Sequence, residues 1–193
     1  MARHKEYVRE AVLEAATQLF WENGYEGTSM NGLVEATRLH RRSMYEEFGG
    51  KDGLFLECID HFVHETTKDV GGLLKEKPLG FQNIENFFSN RVDYVTSRKF
   101  KGCLLVKSVV EKELLNGEVQ KKIQFFLTLT EKAFYECLQA AQERGEIHKD
   151  KNCKMLGKYL MCFLEGLMVM GQTTSSKQDL KGVVETVLSA VKE

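Results

Sequence analysis

Proline is nearly absent from this chain: Pro78 is the single one among 193 residues. Because proline breaks helix interiors, its scarcity leaves room for long uninterrupted helices. Alternating Val/Ile runs of strand type are missing as well, so the two absences together predict an all-α fold. Long apolar runs are also lacking. Stretches such as residues 104–106 and 167–169 fall far short of the ~20 residues that span a bilayer. The opening MARHKEYVREAV has no apolar core and no small-residue cleavage site. A cytosolic protein that does not enter the membrane is therefore expected.

Cysteines are few and badly placed for a disulfide framework. Cys58, Cys103, Cys137, Cys153 and Cys162 are odd in number and form no close pairs, which reads as reduced thiols. Excess positive charge is lacking too. The net charge is −1, and residues 1–52 carry seven Lys/Arg against nine Asp/Glu. That excludes a generally basic nucleic-acid coat, so any DNA binding must rest on local placement of charge. No nucleophile–base–acid set, phosphate-cradling glycine loop or paired-histidine motif stands out, so neither catalysis nor a cofactor is expected. Cys58, His61 and Glu65 share one helical face, but without a second ligand cluster they make a weak metal signal and no metal is expected.

What is present is helical periodicity. Val8, Val12, Ala15, Ala16, Leu19 and Phe20 fall at i, +4, +7, +8, +11, +12, an amphipathic helix that Asn23-Gly24 should stop. Arg3, Lys5 and Arg9 at its start are either a solvated end or phosphate contacts. Residues 28–52, TSMNGLVEATRLHRRSMYEEFGGKD, hold two short helices. Met30, Leu33 and Val34 give the first an apolar face, and Thr28 and Ser29 are N-cap candidates. Leu39, Met44 and Phe48 turn the second helix inward, leaving Arg41, Arg42 and Tyr45 outside. A small apolar three-helix unit that displays arginines and a tyrosine is how a helix-turn-helix presents its recognition helix to double-stranded DNA.

After Gly49-Gly50 a fourth helix carries the stripe Leu54, Phe55, Cys58, Ile59, Phe62, Val63, Thr66 and Val70. Gly71-Gly72 and residues 75–80 form a loop. Helices follow around residues 81–99, 102–115, 119–144, 155–170 and 180–191. The 102–115 segment looks buried, and the 155–170 helix is apolar nearly all round, so it must be covered on several sides. The division expected is a DNA-binding domain over residues 1–50 and a ligand-binding and dimerisation domain over 51–193, with about nine helices in all.

Ala15-Ala16, Leu19-Phe20, Gly24-Tyr25, Thr28-Ser29, Leu33, Leu39, Tyr45, Phe48, Lys51 and Leu54 together resemble the N-terminal domain of TetR-type (tetracycline-repressor family) regulators. The resemblance implies a homodimer joined through its last two helices, binding a palindromic operator and released by a small-molecule effector. It implies phosphate contacts from Thr28 or Ser29, Tyr45 and Lys51, and base-facing roles for His40, Arg41, Arg42 and Ser43. Arg38, which stands where the family usually has the turn glycine, joins the DNA-facing set. Gly32, Glu46 and Glu47 also depart from the usual pattern.

The segment KGCLLVKS resembles one branch of that family at the start of the sixth helix, where Cys103 would sense oxidants or electrophiles or simply fill space. Phe62, Phe88, Phe126 and Phe163 are either core residues or the lining for an apolar or aromatic effector. Three readings follow. They are a ligand-responsive repressor, a redox-responsive version triggered through Cys103, and a helical interaction protein that does not bind DNA.

Overall fold

The computed structural model describes residues 8–67, 71–98, 100–173 and 176–193, and nine α-helices lie among these described residues. They are α1 Arg9–Asn23, α2 Met30–Thr37, α3 Arg41–Phe48, α4 Lys51–Thr67, α5 Phe81–Val95, α6 Leu104–Val110, α7 Gly117–Glu143, α8 Cys153–Met170 and α9 Lys177–Lys192. A 3-10 turn, Lys112–Leu114, follows α6. No strand occurs among the described residues. Arg3, Lys5 and Val70 lie outside the described residues.

The chain forms two compact units. One unit takes residues 1–65 together with 103–124; the other takes 66–102 and 125–193. The helical pattern of residues 51–65 and 102–115 gave no sign that α4 and α6 would fold with the first three helices, because those contacts span distant parts of the chain.

In the first unit, Val12, Ala16 and Phe20 of α1, Leu33 of α2, Met44 and Phe48 of α3, and Leu54, Phe55, Cys58 and Ile59 of α4 are buried. The Phe20 ring lies 4.6 Å from that of Phe55, and Tyr25 meets Phe55 at 5.0 Å. Val8, expected on the apolar stripe, is instead 70% exposed, because it precedes the first helical residue as the N-cap. The 102–115 segment is also less buried than its composition suggests. Leu104 and Leu115 go inside, but the helix breaks after Val110, and Val110 and Leu114 face solvent.

In the second unit, the rings of Phe87, Phe88, Phe134 and Phe163 from α5, α7 and α8 form one cluster with neighbouring centroids 5.2–5.6 Å apart. Helix α5 packs on both α8 and α9. Buried Gly157 lets α8 approach α7, since an added Cβ would sit 3.4 Å from the Glu131 carbonyl.

Candidate DNA-reading interface

The turn between α2 and α3 is built from short-range signals. The Ser29 Oγ accepts from the Gly32 N–H at 3.0 Å, capping α2. Helix α2 ends at Arg38, whose φ of 55° and ψ of 16° place it in the left-handed region. This is the backbone for which glycine is the usual choice, and here an arginine adopts it. Leu39 then buries itself, and α3 begins at Arg41 with Met44 and Phe48 inward.

Helix α3 shows its other face to solvent. His40, Arg41, Arg42, Tyr45 and Glu46 are exposed, and Ser43 is half-buried. The Tyr45 ring rests beside Gly50, where an added Cβ would lie 3.0 Å from Cε1. Lys51 is half-buried with its ammonium 4.2 Å above the Tyr25 ring. Burial pulls the Lys51 pKa below its ordinary value, while Asp52, Glu111 and Glu26 oppose that shift. The Tyr25 hydroxyl donates to Asp52. Burial first, then that hydrogen bond, hold the phenol's pKa well above its usual value.

Not every expected DNA-facing group is available. Thr28 is 1% exposed, and its hydroxyl donates to the Gly24 carbonyl at 2.6 Å. Its oxygen serves the α1–α2 turn, so of the Thr28-Ser29 pair only Ser29 reaches the surface. Arg9 is exposed, but its guanidinium is already paired. Its guanidinium bonds both Glu57 carboxylate oxygens at 2.6 Å and lies 4.7 Å over the Phe48 ring, fastening α1 to α3 and α4.

The two acids in α3 also part company. Glu47 turns inward toward Arg9, 3.9 Å away, whereas Glu46 stays outside and accepts from Arg42 Nε at 2.7 Å. That bond raises the pKa of the Arg42 guanidinium.

The packing partner of one helix in the unit has no local sequence signal. Helix α6 grips the end of α1 from 86 positions away. Lys107 Nζ donates to the Trp21 carbonyl at 2.6 Å, satisfying an orphan acceptor at the C-terminus of α1. One turn on, the Glu111 carboxylate accepts from the backbone N–H groups of Tyr25 at 2.8 Å and Glu26 at 3.3 Å. Gly24, at φ 76°, makes room for it: a Cβ there would lie 2.7 Å from Glu111 Oε1. Cys103, half-buried, is the N-cap of this same helix.

The four phenylalanines read as core or effector lining fall in both units. Phe62 meets Trp21 edge-on at 5.3 Å in the first unit. Phe88 and Phe163 belong to the aromatic cluster of the second unit, and Phe126 pairs with Phe125 at 5.6 Å. Cys58 is fully buried, and burial pushes its thiol up to about 12. His61 faces Glu10 at 4.0 Å. No group of three or more His, Cys, Asp or Glu side chains among the described residues is placed to hold a metal. No helix among the described residues is long and apolar enough to cross a membrane.

Residues 12–58 match the family model for bacterial regulatory proteins of the tetR type. Residues 80–187 match the tetracyclin repressor-like C-terminal domain. The transcriptional repressor ComR of Escherichia coli K12 is 27% identical over 188 residues, which cover 96% of this chain and 90% of ComR. DhaR, a transcriptional repressor of a Mycobacterium strain, is 22% identical over 95% of this chain and 92% of its own length. Among solved structures, a cysteine-substituted CifR bound to 26-bp double-stranded operator DNA superposes with a TM-score of 0.85 at 27% identity. It covers 97% of this chain and 99% of CifR. The reduced form of E. coli NemR has the same fold, with a TM-score of 0.80 at 16% identity over 93% of this chain and 94% of NemR.

Proposed function

This chain belongs to the TetR family of bacterial transcriptional regulators, which are not enzymes, and from that premise we propose that it is a repressor binding a palindromic operator as a cytoplasmic homodimer. The observation that carries this reading is α3 itself, a short helix anchored by Met44 and Phe48 with His40, Arg41, Arg42 and Tyr45 exposed along its outer face. Arginine forks suit guanine edges, while Ser29, Tyr45 and Lys51 suit phosphate oxygens. Ser43 and Arg38 complete the contacting set. In a dimer the two copies of α3 must sit about one DNA turn apart, roughly 34–36 Å, to enter successive major grooves.

The dimer is built on α8 and α9. Met155, Tyr159, Cys162, Gly166 and Val169 are exposed at spacings of 4, 3, 4 and 3, one seam of α8. Val183 and Ala190 leave a parallel exposed stripe on α9. An apolar seam of this kind calls for a matching helix, and a second copy of the chain supplies it in a closed two-fold arrangement.

A small apolar or aromatic effector in the second unit releases DNA by binding better to a state whose heads are wrongly spaced. Helix α6, with Lys107 and Glu111 on the α1–α2 turn, braces the reading head within the first unit. Gel-shift titration of the purified protein on its own promoter region tests the reading. Arg42→Ala and Tyr45→Ala should each weaken binding about tenfold or more; unchanged affinity in both removes α3 as the recognition helix.

A second reading is favoured by the position of Cys103. In it this chain belongs to the branch whose GCL segment carries a sensor thiol, and oxidation or alkylation of Cys103 replaces the reversible effector. Cys103 occupies the N-cap position of the helix that holds α1, so a bulky adduct there would disturb the start of that helix directly. DNA release by a quinone or hypochlorite that persists in Cys103→Ser rejects it.

A further inference from the structure

Glu46 stands where it should weaken DNA binding. It is exposed on the face of α3 that carries Arg41, Arg42 and Tyr45, and its charge repels phosphate. Its neighbour Glu47 avoids that conflict by turning toward Arg9. Glu46 instead accepts from Arg42 Nε at 2.7 Å, across one turn of the helix.

The choice of nitrogen matters. A guanidinium has five N–H donors in a rigid fork and can meet a base either through its side, Nε with one Nη, or through its tip, both Nη groups. With Nε held by Glu46, only the tip remains to bond guanine O6 and N7 together. The same carboxylate makes the Arg42–Glu46 pair neutral as a unit, so the arginine loses its general attraction for phosphate while keeping its directional donors. Resting on α3 as the recognition helix, we propose that Glu46 is a specificity-determining positioning residue that presents Arg42 tip-first to one guanine and suppresses binding to other sequences.

Two observables should therefore move in opposite directions. Removing Glu46 strengthens binding to unrelated duplex and weakens discrimination at one base pair. A surface ion pair without this role moves neither discrimination nor its dependence on Arg42.

The experiment uses the full-length protein, its own promoter duplex, a scrambled duplex, and a series in which each G·C pair of a half-site is replaced by A·T. Wild type, Arg42→Ala, Glu46→Ala, Glu46→Gln and the Arg42→Ala/Glu46→Ala double variant are compared across a salt series. Wild type should lose about ten- to a hundredfold at the guanine that Arg42 reads. Glu46→Ala should shrink that loss to about threefold or less and bind the scrambled duplex more tightly. Glu46→Gln, which keeps an acceptor oxygen without charge, should recover part of the discrimination while keeping the tighter scrambled binding. The double variant should discriminate no worse than Arg42→Ala alone. Full discrimination in Glu46→Ala, or an equal loss on every duplex, overturns the proposal. An Arg42→Ala variant with wild-type affinity and discrimination also overturns the proposal, and only if Tyr45→Ala is unchanged too does the assignment of α3 fall with it.

Discussion

At Arg38 the backbone takes φ 55° and ψ 16°, a conformation that costs a non-glycine residue roughly 1 kcal/mol. The strain persists because Leu33 and Leu39, on either side, are both buried and fix the turn. Arg38→Gly removes the strain but adds freedom to the unfolded chain, worth roughly 0.4–1 kcal/mol in the opposite sense. Thermal unfolding should therefore show a midpoint that is unchanged or raised by a few degrees. Operator affinity should fall, with the log–log salt slope shallower by about one, since a cation beside the DNA is lost. A lower midpoint would contradict the strain. Tyr25 supplies a second expectation. Its folded pKa lies above the ordinary 10.0, so on raising the pH the unfolded chain gives up the proton first. The contribution is intact below about pH 10 and is lost above it, so Tyr25→Phe should lose less stability than wild type between about pH 9 and about pH 11 in urea unfolding. Residues of this kind were legible in part. The glycine-free turn could be read from sequence, but Thr28 and Ser29 are equivalent cap candidates there, and only packing shows that Thr28 turns inward.

Among the elements, α1, α2 and α3 were readable because their signals are local: an apolar period, a cap and a stop within a few residues. The role of α6 was not. Its seven helical residues look like a buried strip, and the contacts that define it join positions 86 apart. No periodicity encodes such a pair. Glu111→Ala leaves two backbone N–H groups at the α1–α2 turn without their acceptor, a cost of roughly 1–3 kcal/mol if water does not replace it. Operator affinity should drop several-fold without any effector present, and amide exchange should speed up at Tyr25 and Glu26. Wild-type exchange at those two amides would show that the grip contributes nothing. Gly24→Ala should behave similarly, because its Cβ meets the same carboxylate and its φ of 76° disfavours a side chain.

At the scale of the whole molecule, α8 shows why composition alone misleads. An all-round apolar helix reads as buried on several sides, yet its own chain covers only part of it and leaves Met155, Tyr159, Val169 and Met170 each about half exposed. Sequence could not assign the uncovered seam to a partner or to the chain's own core, because both demand the same side chains. The thiols separate the two cases. Burial raises Cys58 to about 12 and Cys137 to about 11, so both resist alkylation in the folded chain. Cys162 is exposed in the single chain and lies on the seam. If α8 pairs with its copy, Cys162 should react slowly in concentrated protein and faster as dilution shifts the equilibrium toward single chains. Tyr159→Glu places an unpaired charge in that seam, and sedimentation should then give a single chain. Since one head alone contacts only a half-site, this variant should also lose most of its operator affinity while far-UV circular dichroism stays helical. A Tyr159→Glu protein that still sediments as a dimer would move the interface away from α8.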